Sequence, residues 1–106
     1  MNFQITDSAV DAETHIVEAA GELDVNSAGA LEERLRLAAE SGKRKLIVDF
    51  TGATFIDSAT IGVLVVASKR LRPVRGSIVL ICVDRLTTRV LEITHRPRDR
   101  ALSHDG

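Results

Sequence analysis

The chain has 106 residues, 44% of them hydrophobic and 3% aromatic, with no Trp or Tyr, one cysteine and a formal net charge of −1. That is the size of one domain with a single modest core, and its apolar residues are too interrupted for a membrane span. One cysteine excludes a disulfide framework and a thiolate metal cluster; the near-neutral balance gives no global field toward nucleic acid or membrane, and the scarcity of aromatics argues against a base-stacking platform.

The first eleven residues mix polar and apolar side chains, unlike a secretory leader, so a cytoplasmic protein is expected. Phe3 and Ile5 alternate with polar neighbours and predict a first strand. Residues 7–14 are polar and turn-like, and residues 15–20, His-Ile-Val-Glu-Ala-Ala, predict a second strand, so the chain opens with a hairpin. Gly21-Glu22-Leu23-Asp24 leaves that strand. Asp24, Asn26 and Ser27 are all competent N-caps for a helix carrying Ala28, Leu31, Leu35, Ala38 and Ala39 at helical spacing, and Gly42 stops it. Residues 43–50 predict a third strand, apolar enough at its centre to be covered on both faces.

Residues 54–62, Thr-Phe-Ile-Asp-Ser-Ala-Thr-Ile-Gly, form a junction between that strand and a second helix. The helix is apolar at Ile61, Leu64, Val65, Ser68 and Leu71, and Pro73 ends it. A second stripe, Ala59, Val63, Val66 and Ala67, reads either as wide burial or, next to Ser58, as partner surface. Ser58 stands where this helix begins. Its hydroxyl can cap the helix by accepting a backbone N–H. It can equally carry a phosphoryl group, because helix N-termini favour anions, with Asp57 placed to orient or receive the hydroxyl proton. Both readings stand on the residues alone.

Gly76 precedes a fourth, continuously apolar strand over residues 77–83, in which Cys82 reads as a small buried hydrophobe. Asp84 can cap a third helix carrying Leu86, Val90 and Ile93. Strands alternating with helices predict βαβ crossovers and a mostly parallel sheet, an α/β fold. Residues 94–106 have Ala101 and Leu102 as their only apolar side chains, so residues 95–106 are expected to form a mobile polar tail, its three arginines a solvated terminus. No internal repeat or low-complexity stretch stands out.

The combination of Gly21-Glu22-Leu23-Asp24, a helix, an apolar strand and then Phe55-Ile56-Asp57-Ser58-Ala59-Thr60-Ile61-Gly62 resembles the STAS domain, and more narrowly the stand-alone anti-sigma factor antagonists of bacteria. The resemblance covers about residues 1–94, taken as the domain. It implies a STAS fold, a mixed, mostly parallel sheet with helices packed on it. It implies that Ser58 is phosphorylated by a partner that is both serine kinase and anti-sigma factor. The unphosphorylated form binds that partner and frees a sigma factor; phosphorylation breaks the complex, and a serine phosphatase resets it. Asp24 and Asp57 then neighbour the phosphosite, and Ala59, Thr60, Ile61, Gly62 and Val63 belong to the partner surface. No catalytic residue, metal, cofactor or nucleic-acid contact is implied.

Thr60 departs from the family, which usually has glycine there; it adds bulk and a second hydroxyl where a partner approaches. The C-terminus departs too. Family members continue with another strand and a helix that residues 94–106 do not encode, so the end is expected to be either shortened or diverged, leaving an open strip that self-association would cover. Other readings are weaker. A serine hydrolase has candidate residues in Ser58, His95 or His15, and Asp57 or Asp24, but no Gly-x-Ser-x-Gly elbow, since Ile56 and Thr60 hold the glycine positions. A weak nucleotide binder has only scattered glycines and no phosphate-binding fingerprint. A STAS module in another signalling assembly is a variant of the first reading. His15, His95 and His104 have no metal-ligand spacing and read as surface or strand-end residues.

Overall fold

The computed structural model describes residues 2–82 in full and the backbone of residues 83 and 88–93. The chain runs β1 (Phe3–Ala9), β2 (Thr14–Leu23), α1 (Val25–Glu40), β3 (Lys45–Asp49), β4 (Ala53–Ile56), α2 (Ser58–Leu71), a short 3-10 turn (Arg72–Val74), β5 (Ser77–Val83) and β6 (Thr88–Ile93). The strands form one sheet in the order β1-β2-β3-β5-β6, and β4 pairs with β2 beyond β3. β2, β3 and β5 are mutually parallel, β4 is parallel to β2, and β1 and β6 are antiparallel edges. This is the expected α/β architecture with a mostly parallel sheet.

Alternation along each strand sorts the side chains. Val17, Ala19 and Leu23 of β2, Leu46 and Val48 of β3, and Ile78 and Leu80 of β5 point to one face and are buried. Leu31, Leu35 and Ala38 of α1 and Leu64, Ala67 and Leu71 of α2 close over them and complete the core. Both crossovers advance the same way, from β2 to β3 and from β3 to β5, so both helices cover the same face. The opposite face carries Ile16, Ile47 and Val79, adjacent in register and half-buried. β3 was expected to be covered on both faces; among the described residues its helices lie on one.

Four further expectations change. β1 continues through Asp7–Ala9, because Asp7 pairs with Val17 and Ala9 with His15 before the turn over residues 10–13. Gly21-Glu22-Leu23 still belongs to β2, with an irregularity between Gly21 and Glu22 that lets the strand pass from β3 to β4. Gly21 is required there: its φ is +88°, and a Cβ would lie 2.1 Å from the Asn2 carbonyl oxygen. Between the third strand and α2 lies β4, which was not anticipated; Asp49 Oδ1 accepts from Thr51 N at 2.8 Å and turns the chain, and Gly21 N donates to Gly52 O at 2.9 Å. Residues 88–93 form β6 rather than a third helix. Thr88, Val90 and Ile93 are β-branched, and pairing with the outer edge of β5 outweighs a helical spacing of three apolar residues. The expected tail, with His95 and His104, lies outside the described residues.

Candidate functional site

The parallel pair β2–β4 sets the site. Leu23 and Ile56 are register partners at the carboxyl ends of their strands. The next residue in each strand, Asp24 or Asp57, is an extended N-cap: φ is −127° at Asp24 and −110° at Asp57. Helices α1 and α2 therefore start side by side, each behind a carboxylate. The two starts have the same layout. Each has aspartate at the cap, a hydroxyl at the third helical position (Ser27 or Thr60) and glycine at the fifth (Gly29 or Gly62). This short recurrence was readable in the sequence, although only the paired strands give it meaning.

Asp24 Oδ1 accepts from Asn26 N at 2.9 Å, and Ser27 Oγ accepts from Asp24 N at 3.0 Å, closing a capping box within one loop. Asp57 Oδ1 accepts from Thr60 N at 3.1 Å. The cap of α2 is thus Asp57, and Ser58 is the first helical residue. The capping reading of Ser58 is corrected, and Asp57, expected to handle the hydroxyl proton, has one oxygen engaged by the backbone. Ser58 is exposed and its hydroxyl has no hydrogen-bond partner among the described residues. Its backbone N–H and that of Ala59 are among the first of the helix, which have no intrahelical acceptor.

Thr60 is corrected as well. It is 0% exposed, so it presents neither bulk nor a hydroxyl to a partner. Its Oγ1 donates to the Leu23 carbonyl at 2.9 Å and lies 3.4 Å from Asp57 Oδ1. Burial of this hydroxyl is sustained by that bond. Val63 is half-buried against the core, and Ala59 is half-buried. Ile61 is 50% exposed and Val65 43%. With Ser58 and Gly62 they share one outward face of α2, being three, four and seven residues apart. Phe55 and Ile56 of β4 and Val25 of α1 add exposed apolar surface at the same end of the sheet. The apolar spacing at Ile61, Leu64, Val65, Ser68 and Leu71 divides: Leu64, Ser68 and Leu71 are buried with Thr60 and Ala67, whereas Ile61 and Val65 are exposed. A Cβ at Gly62 would meet nothing within 4 Å, so the fold does not demand glycine there.

His15 lies elsewhere. It precedes Leu23 by eight residues of β2, about 26 Å at ~3.3 Å per residue. It is a strand-end residue, as expected, second in β2 and not near Ser58: its Nε2 pairs with Asp7 Oδ2 at 2.6 Å, and Arg34 of α1 also pairs with Asp7. The hydrogen bond to His15 holds the Asp7 carboxyl below its ordinary range; burial opposes this, and Arg34 reinforces it. Ser58, His15 and the capping aspartates therefore do not assemble a hydrolase triad. Cys82, expected to be buried, is half-buried against the core, and burial pushes its thiol up. No group of His, Cys, Asp and Glu fit to hold a metal occurs among the described residues, and none of their helices is long and apolar enough to cross a membrane.

Comparison with known proteins follows this geometry. A model of the STAS domain family matches residues 4–98. BtrV of Bordetella bronchiseptica, whose name places it among anti-sigma factor antagonists, is 35% identical over 72 residues; the match spans 66% of this chain and 62% of that protein. The unphosphorylated form of the anti-sigma factor antagonist SpoIIAA superposes with a TM-score of 0.66 at 22% identity, covering 80% of this chain and 73% of that one. An anti-sigma factor antagonist from Mycobacterium paratuberculosis superposes with a TM-score of 0.69 at 19% identity, covering 96% of this chain and 78% of that one. The paired strand ends, the two capped helices and the family match over most of the length agree: the chain belongs to the STAS domain family.

Proposed function

We propose that this protein is an anti-sigma factor antagonist switched by phosphorylation of Ser58. Unphosphorylated, it binds an anti-sigma factor that is also a serine kinase and so releases a sigma factor; phosphate on Ser58 breaks the complex, and a serine phosphatase restores the binding form. The protein acts in the cytoplasm, by protein contact alone. The observation that carries this reading is the division of roles at α2: Asp57 caps the helix, leaving the Ser58 hydroxyl exposed and unengaged beside free backbone donors. Relatives named as anti-sigma factor antagonists support it.

In the transfer step, Ser58 Oγ attacks the γ-phosphorus of ATP held by the kinase. The new O–P bond forms as the bond to the β,γ-bridging oxygen breaks, ADP leaves, and the hydroxyl proton passes to a base on the kinase. The phosphate brings about −1.5 to −2 charges. The helix terminus favours it by typically 0.3–1 kcal/mol, while Asp57 and Asp24 oppose it, so the free monomer barely changes in stability. At a packed apolar interface the same charge must be desolvated, which costs several kcal/mol when unpaired.

The alternatives gain nothing from the geometry. The open depression beside Asp24, about 330 Å³, is lined by Asn2, Phe3, Glu22, Asp24 and Asn26, and its carboxylates repel a nucleotide's phosphates. The test is incubation with an anti-sigma serine kinase and ATP, read by mass spectrometry. A single phosphate on Ser58 is expected, absent in Ser58→Ala. Ser58→Asp is expected to keep its Tm within a few degrees while kinase affinity falls roughly hundredfold, ~2.8 kcal/mol. Undiminished labelling of Ser58→Ala overturns the assignment.

A further inference from the structure

We propose that Thr60 is a positioning residue for Ser58: its buried hydroxyl fastens the start of α2 to the end of β2, and through β2 to the start of α1. The inference rests on the phosphoacceptor reading of Ser58 and extends it to a residue that never meets the kinase.

The comparison of the two helix starts carries the argument. Both place a buried hydroxyl at the third helical position. Ser27 uses its oxygen inside its own loop, on Asp24 N and Asp24 O. Thr60 reaches across 37 residues of sequence to Leu23 O. Leu23 O also accepts from Asp57 N at 3.1 Å. A carbonyl oxygen has two lone pairs, and here both are taken by the α2 start, one through the cap residue and one through Thr60. Ser58 sits between these two anchors in sequence, so its backbone is held from either side.

Little else fixes this junction. β4 has four residues and meets β2 at Ala53, Phe55 and Ile56, across the irregularity at Gly21 and Glu22. Ser58 itself contributes no hydrogen bond through its hydroxyl. Its neighbours Phe55, Ile56 and Ile61 are exposed, so packing does not hold the segment as it holds Leu64. The Thr60 bond is buried and therefore shielded from competition by water. Leu23 is followed directly by Asp24, so the same carbonyl sets the spacing between the Asp24 carboxylate and the Ser58 hydroxyl. Phosphoryl transfer is sensitive to such placement, because misplacing a reacting oxygen by about 1 Å costs up to roughly hundredfold in rate.

The experiment compares the full-length wild type, Thr60→Ser and Thr60→Val, with Thr60→Ala replacing the valine variant if that fails to fold. Amide hydrogen exchange is read at Asp57, Thr60 and Ile61, whose N–H groups bond at the α2 start, relative to the amides of β3 in the same sample. Phosphorylation of Ser58 by an anti-sigma serine kinase and ATP is read as kcat and KM. Loss of the hydroxyl is expected to speed exchange at those three amides relative to β3 and to lower kcat about tenfold with KM within about twofold. Thr60→Ser is expected to restore both. An unchanged relative exchange, or an unchanged kcat in a folded variant lacking the hydroxyl, overturns the proposal. If the wild type takes no phosphate at Ser58, the proposed function falls instead, and the exchange ratio still decides whether Thr60 holds the α2 start.

Discussion

A serine at a helix start ordinarily turns its oxygen back onto the first backbone N–H groups. Asp57 does that here, and the consequence is measurable. Asp57→Ala removes the acceptor of Thr60 N and is expected to destabilise by about 0.5–2 kcal/mol, or several degrees in Tm for a domain of this size. Asp57→Asn retains an oxygen cap and is expected to stay close to wild type in thermal unfolding. The sequence placed the start of α2 correctly, but it offered Ser58 as the cap and Asp57 only as the group handling its proton. Which one caps was not visible, because adjacent oxygens differ only in backbone φ and ψ, and those are set by where β4 ends. Thr60 was the harder case. Its identity suggested an obstacle to a partner, but the direction of a side chain at a helix N-terminus depends on the strand that lies behind it, and β2 lies behind Thr60.

At the scale of elements, α2 has a buried stripe and an exposed apolar one. Ile61, Gly62 and Val65 are on the exposed stripe with Ser58, and Gly62 gives it a bare backbone four residues from the acceptor. Glycine in a helix interior is about 1 kcal/mol worse than alanine, and nothing within 4 Å would resist a Cβ. Gly62→Ala is therefore expected to raise Tm by a few degrees and to weaken kinase binding, a stability gain paired with a functional loss. If calorimetry shows the gain while affinity is unchanged, the open backbone serves no partner. α1, α2 and β5 were legible from apolar spacing and their glycine and proline boundaries. β4 was not, because Ala53–Ile56 has one partly buried side chain and three exposed ones, and its pairing is with a strand thirty residues away. The segment of β6 suggested a helix because apolar residues at 86, 90 and 93 have helical spacing in the sequence, while Thr88, Val90 and Ile93 are β-branched and fit the strand Thr88–Ile93. Only the open edge of β5 separates the two.

Across the whole molecule, the end of β2 beside Ser58 and its opposite end are held by different chemistry. The far end has the Asp7, His15 and Arg34 cluster, which joins β1, β2 and α1. Asp7 has a folded pKa depressed by His15 and Arg34, so the unfolded chain binds a proton more readily than the folded one. Its contribution is complete above the unfolded value of about 3.9 and disappears as pH falls through the lower folded value. Asp7→Asn is expected to unfold at lower temperature than wild type near neutral pH, and the gap is expected to close below about pH 4. A gap that stays constant in acid would mean that Asp7 acts by packing alone. Because this cluster stands eight residues of β2 before Leu23, about 26 Å along the strand, the same variant is expected to leave phosphorylation untouched.

If Ser58 carries phosphate as proposed, the separation of cap from acceptor also determines what that phosphate can report. Adding it breaks no bond that the fold uses, since the hydroxyl was unengaged, and removing it restores none. The two forms are then nearly equal in folding free energy, and the ester persists because its uncatalysed hydrolysis is slow. On the proposed function, their ratio in a cell is then set by the enzymes that add and remove the group and is not biased by the chain itself. A pool of such molecules integrates two opposing catalytic rates, and it holds that record for as long as the ester survives.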